Sequence, residues 1–301
     1  MINLGRRYSA RRLVKSVIFT KLFFPLFTQR AAEKYPQFVI FSSDLIGQGI
    51  NFYGYWEYEE LVALARWLEE HHVGGGAMLD VGANIGNHSV FLARHFDTVH
   101  AVEPSPRTFS VLSMNASLAS NIQCHQIAAS DRNGVVAFRL ETVNVGYSRI
   151  VDAPLSENTI QVNRWKLDDY FGELKDIRLV KIDVEGHEAQ AIKGMEEILR
   201  KCSPVVVFEQ HFSAFKNGKS EVIEMLKENG YTEFYSVDRI PSTQRGGRIG
   251  KLWFFFCSLL IGFRLVVRQR MELEPAFYEM LIARKAVPAQ PDCHASCLEP
   301  G

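Results

Sequence analysis

One stretch restricts the fold more than any other: Met78 to His95, which reads MLDVGANIGNHSVFLARH. A short apolar run, Ala77 to Val81, ends in a glycine-bearing turn that leads directly into an amphipathic helical pattern. Strand, tight loop and helix in this order are the opening unit of an α/β nucleotide-binding sheet. Gly82 and Gly86 let the backbone turn sharply and approach a ligand. Asn84, between them, is one of the few non-glycine types that tolerates a left-handed conformation.

The acid Asp80 discriminates between ligands. A dinucleotide fingerprint is G-x-G-x-x-G and cradles a pyrophosphate at a helix N-terminus. Here the pattern is D-x-G-x-N-x-G, with a carboxylate two residues before the first glycine. That charge would oppose a pyrophosphate but suits a cationic amino group. S-adenosylmethionine (SAM) carries such a group and no phosphate. A tight turn with no ligand is the alternative.

Further along, apolar strands alternate with helical patterns. TVHAVEPS places Glu103 at a strand end 23 residues after Asp80, where an acid accepts hydrogen bonds from ribose hydroxyls. IQCHQIAAS reads as one third strand ending at Ser130 and Asp131, positions expected near the base of a nucleoside. IRLVKIDVEGHEAQAIKGMEEIL is a buried strand ending in Asp183 and Glu185, a turn at Gly186, and a helix over its remainder. PVVVFEQHF ends at Glu209 and His211, and YTEFYSV and AFYEMLIA read as two further strands. The alternation predicts a mostly parallel sheet flanked by helices. Acids gather at its carboxyl edge, where ligands of open α/β sheets bind. Residues 36–55 read as short extended pieces, with Gly47, Gly49 and Gly54 as breakers.

Composition is that of an ordinary globular protein, 47% hydrophobic and 23% charged with formal net charge zero, so nothing global points to nucleic acid. The five cysteines are scattered and odd in number. This suggests no disulfide framework and favours a reducing, cytoplasmic setting. The C-terminal CHASC is a weak metal motif in a Pro- and Ala-containing tail.

Six pieces, in order, give the chain a family resemblance: DVGANIG at Asp80–Gly86, AVEPSP at Ala101–Pro106, AASD at Ala128–Asp131, LDDY at Leu167–Tyr170, KIDVEGHE at Lys181–Glu188 and PVVVFEQH at Pro204–His211. Together they resemble the FkbM family of SAM-dependent methyltransferases. The resemblance implies a doubly wound class I methyltransferase sheet, seven strands in the order 3-2-1-4-5-7-6 with strand 7 antiparallel. It implies O-methylation of small molecules, often sugars or polyketides. By the same resemblance Asp80, Gly82, Asn84 and Gly86 would bind the methionine part of SAM, Glu103 the ribose, and Ser130 and Asp131 the adenine end. KIDVEGHE would face the acceptor.

A hydroxyl acceptor benefits from a base. Asp183 is the first candidate, then Glu185, then His211. A divalent metal is possible because carboxylates converge, but no metal ligand is assigned. A SAM-fold module that binds a ligand or partner without catalysis is the alternative of a different class.

Two basic, apolar segments lie outside the resemblance: residues 1–35, and 241–275 with LWFFFCSLLIGF at 252–263. Both are too short or too interrupted to span a bilayer and fit docking on an anionic cytoplasmic leaflet; packing on the domain is the competing reading. The expected organisation is an arm and lead-in over 1–55, a methyltransferase domain over 56–285 with an apolar basic insertion at 241–275, and a disordered tail over 286–301.

Overall fold

The computed structural model describes residues 10–25, 28–29, 35–141, 144–151, 156–241 and 263–286. Its central element is an eight-stranded sheet. The inner strands are β1 (Ala77–Val81), β2 (Thr98–Val102) and β3 (Ile122–His125) on one side, then β8 (Ile177–Ile182) and β9 (Val205–Gln210) on the other. All pair in parallel. Three further strands extend the β9 side, each antiparallel to its neighbour: β14 (Tyr278–Arg284), β12 (Glu233–Pro241) and the edge strand β13 (Phe263–Arg270). The spatial order is β3-β2-β1-β8-β9-β14-β12-β13.

The inner strands are near-continuous apolar runs because both their faces are covered. Val180 and Ile182 of β8 face one core with Ile192, Leu199 and Leu226. Leu179 faces the other, with Leu61, Leu64, Leu68 and Phe91. The same alternation puts Leu79 and Val81 in the first core and Met78 in the second. Asp80 therefore shares the Met78 face, under the helix Asn87–Leu92.

Several local expectations change. The third strand is two strands: β3 stays in the main sheet, while β4 (Ala128–Ala129) joins a second, four-stranded sheet with β7 (Thr159–Trp165), β5 (Gly134–Arg139) and β6 (Arg149–Ile150). The helix after Gly186 is also two, Glu188–Lys193 and Glu196–Lys201. They break at Gly194, where a Cβ would lie 1.9 Å from the Ser130 carbonyl oxygen. Residues 45–53 are helical rather than extended. Gly47 and Gly49 sit inside that helix because a Cβ would come within 2.5 Å of the Phe41 carbonyl and 2.4 Å of the Trp56 ring. Their spacing marks close packing, not chain breaks.

Within the apolar basic insertion expected at 241–275, residues 263–270 form β13, paired residue for residue with β12. The LWFFFCSLLIGF run up to residue 262, the CHASC motif and the tail lie outside the described residues.

Candidate active site

The parallel strands deliver their ends to one edge, and a cavity of about 660 Å³, counting its open mouth, lies there. The β1 turn contributes Gly82 and Asn84, the β2 end Glu103, and the β8 end Asp183 and Glu185. Ile127, Ala128, Ala129 and Phe138 supply an apolar wall. Ile46 and Val145–Gly146 complete the lining from elements far away in sequence.

The turn is tightly determined. Gly82 has φ +81°, and a Cβ on it would lie 1.8 Å from the Asp183 carbonyl oxygen. Asn84 is left-handed at φ 51°, a conformation its type tolerates. Its N–H donates to Glu103 Oε2 at 3.1 Å. Glu103 Oε1 accepts from the Ser105 N–H at 2.9 Å. Burial pushes the Glu103 carboxyl up to about 7, against those two N–H donors, which favour the charged form. Asn84 Oδ1, like Asp80 Oδ1, is buried without a hydrogen-bond partner among the described residues.

Asp80, expected at the methionine end of the ligand, lies directly behind the turn. It is fully buried and is not part of the cavity lining. Its Oδ2 accepts from Ser89 Oγ at 2.6 Å, and its Oδ1 lies 3.6 Å from Lys181 Nζ. Gly86 is also outside the lining; it starts the helix Asn87–Leu92 at φ 90°. Ser130 is fully buried and bonds His187 Nε2 through its Oγ at 3.1 Å. Asp131 faces Arg132 at 3.8 Å. Neither lines the cavity; the preceding Ala128 and Ala129 take that place.

At the β8 end the acids crowd. Glu185 is left-handed at φ 53°, a conformation that costs a non-glycine residue on the order of 1 kcal/mol and that concentrates at functional sites. Burial raises its carboxyl to about 7, with further increments from the charges of Asp183 and Glu188. On β9, Glu209 is raised to about 8, by burial first and then by Asp183 and Glu185. His211 does not line the cavity. It stands in a neighbouring cleft with Glu209, Gln190 and Lys216, its Nε2 3.4 Å from Glu209 Oε1 and its ring 5.3 Å from that of Phe277.

Among the described residues no group of three or more His, Cys, Asp or Glu side chains is arranged to hold a metal ion. Two features escaped the sequence reading. Lys181 opens the KIDVEGHE piece, but nothing in that pattern sets its ammonium between Asp80 and Asp183. Ile46 and Gly146 carry no local signal at all.

A mostly parallel sheet in this order, with a glycine turn after β1 and an acid after β2, is a class I methyltransferase fold. The family model described as "Methyltransferase FkbM domain" matches residues 80–233. The chain belongs to the FkbM methyltransferase family. It is 30% identical over 194 residues to 31-O-demethyl-FK506 methyltransferase FkbM of Streptomyces tacrolimicus, covering 52% of this chain and 73% of the relative. It is 29% identical over 145 residues to hexuronic acid methyltransferase AglP of Haloferax volcanii, covering 47% and 59%. Identity to Methyltransferase 1 of Beauveria bassiana is 30% over 145 residues, covering 40% and 58%. The chain thus spans under two thirds of the length of two of these three relatives.

Proposed function

We propose that the protein is a SAM-dependent O-methyltransferase acting on a hydroxyl of a small molecule, sugar or glycolipid. The observation that carries this reading is the loop-to-acid lock, in which the Asn84 N–H fixes the Glu103 carboxylate at the cavity wall. A carboxylate held there suits the two hydroxyls of a ribose. Gly82 and Asn84 would hold the methionine end, with Asn84 Oδ1 as a ready acceptor for its ammonium. The apolar wall from Ile127 to Ala129 would take the adenine. The names of two relatives, one acting on a hexuronic acid and one on a 31-O position, support an oxygen acceptor.

SAM, when bound, supplies a methyl group activated by a sulfonium. The site would hold an acceptor oxygen in line with that methyl group, so that O–C bond formation and S–C bond cleavage would leave the electron pair on sulfur. The hydroxyl proton passes to a carboxylate. Asp183 is the first candidate for that base, as it lines the cavity at the β8 end. Glu185 beside it is the second. The Glu209–His211 pair, one strand over, lines the cleft through which an acceptor would approach. Alignment of oxygen, methyl and sulfur is the protein's main contribution.

Calorimetric titration with S-adenosylhomocysteine, with NAD as control, tests the reading. Micromolar binding of the first and none of the second is expected. Binding of NAD, or of neither, would overturn it.

A membrane-surface location accompanies this proposal. Arg6, Arg7, Arg11, Arg12, Lys15, Lys21 and Arg30 precede the first acid, Glu33. The helix Ala10–Ile18 exposes Val14, Val17 and Ile18. A basic helix with an uncovered apolar face matches an anionic bilayer interface. No described helix is long and apolar enough to cross a membrane. Flotation with anionic but not neutral liposomes is the expected result, and protein remaining at the bottom of both gradients refutes it.

A further inference from the structure

Lys181 is a buried cation at the centre of the candidate site. The β1–β8 register sets Asp80 directly beside it, and both point to the same face of the sheet. Its Nζ is 3.6 Å from Asp80 Oδ1, 3.3 Å from Asp183 Oδ2 and 3.3 Å from the Gly82 carbonyl oxygen. Three separate pieces of the site thus meet at one ammonium: the buried strand, the ligand-facing turn and the acid at the cavity mouth.

The charges are unequally placed. Asp80 is 0% exposed and Lys181 is 7% exposed, whereas the Asp183 side chain is 36% exposed. A cation buried this deeply needs a fixed counter-charge, and Asp80 provides it from the closed side, itself anchored by Ser89. On the open side Lys181 is left to hold Asp183.

We propose that Lys181 is the positioning residue of the methyl-transfer site: its ammonium clamps the Asp183 carboxylate to the Gly82 turn, and Asp80 serves to anchor Lys181 instead of contacting the cofactor. This rests on the proposed methyltransferase reading. It assigns the most buried acid of the signature loop a supporting task. It also makes the spacing between cofactor and base a property of one side chain.

Sinefungin, the SAM analogue with an amine-bearing carbon in place of the methylsulfonium, places a cation where the transferring methyl would be. Its affinity relative to S-adenosylhomocysteine therefore reports where the Asp183 carboxylate is. Titrations of wild type, Lys181→Met and the double variant Asp80→Asn/Lys181→Met with both ligands, with melting temperatures, form the test. The double variant leaves no unpaired buried charge, so it stays folded even where the single variant does not.

The expected result is a wild-type preference for sinefungin that falls about tenfold, roughly 1.4 kcal/mol, in both variants. S-adenosylhomocysteine affinity changes by less than about threefold, roughly 0.7 kcal/mol by the same relation. A preference that rises, as simple removal of a positive charge would produce, overturns the proposal. So does a double variant that recovers both melting temperature and preference, since Lys181 would then only neutralise Asp80. Wild-type protein that binds neither ligand would instead refute the methyltransferase reading itself.

Discussion

The two halves of the candidate site are built by different rules. On the β1–β2 side the groups are tied down by the backbone. Glu103 takes two N–H donors, and Gly82 has no room for a Cβ. On the β8–β9 side, acids face one another. Asp183 contributes to raising both Glu185 and Glu209, and Glu185 raises Glu209 as well. The first half is held rigidly by backbone donors and close packing. The second is a cluster of acids with Lys181 as the neighbouring cation that lowers Glu185 and Glu209 against their burial. The contrast parallels a fixed cofactor and a variable acceptor within one family.

Gly82→Ala gives the largest expected break in that contrast. The added methyl group meets the Asp183 backbone, and φ is unfavourable for any side chain. Overpacking and left-handed strain together should cost about 2–4 kcal/mol. Calorimetry should show a lower melting temperature together with lost S-adenosylhomocysteine binding. An unchanged melting temperature would mean that β1 and β8 can separate cheaply.

Glu103→Gln comes next and is confined to the preorganised half. Hydrogen bonds to a charged acceptor are worth about 1.5–3 kcal/mol, so S-adenosylhomocysteine should bind roughly 10- to 100-fold more weakly. In the wild type the same affinity should decline as pH drops through about 7, where Glu103 takes up a proton. An affinity flat between pH 6 and 8 would show that the carboxylate does not touch the ligand.

The smallest effect concerns stability of the unliganded protein. Glu103, Glu185 and Glu209 have folded-state values raised from 4.5 to about 7, 7 and 8. Groups of this kind favour the folded state fully below their ordinary value, and that contribution is lost as pH rises through the folded value. His125 has the opposite sign. Burial and the neighbouring His100 lower it from 6.5 to about 4, so it weakens the fold only as pH falls below 6.5. From pH 6.5 to 8 the three raised carboxyls outweigh the lowered histidines His95, His100 and His125, and urea denaturation should show stability falling across that window. Glu185→Gln with Glu209→Gln should flatten the slope while Glu103→Gln alone flattens it less. A slope untouched by the pair would mean that their charges are not coupled.

What the sequence made legible follows this division. The β1 loop, Glu103 and the acids at the β8 end announce themselves because each belongs to a contiguous strand–turn–helix pattern. Asp80 stands out in the loop pattern, but the cation it faces does not. Its spacing to Gly82 is visible in the sequence, whereas its register partner Lys181 lies 101 residues away. The same distance hides Ile46 and Gly146, which reach the cavity only through tertiary packing. The break of IQCHQIAAS into two strands was illegible for a related reason. Ala128 and Ala129 leave the main sheet to pair with Arg164 and Trp165, and nothing local marks the departure.

The Asn115 side chain reaches in three directions. It accepts from the Val39 N–H at 2.7 Å, donates to the Val39 carbonyl at 3.0 Å and donates to the Ile85 carbonyl at 2.8 Å. One amide therefore fastens the lead-in strand of chain to the signature loop, while Ile46, a few residues on, forms part of the cavity wall. Trimming the protein to its recognisable domain at about residue 56 would leave every signature motif in place. It would also cut the stitch that holds the loop and remove a panel from the pocket. A shortened version that folds yet binds poorly would have lost its front wall, not its machinery.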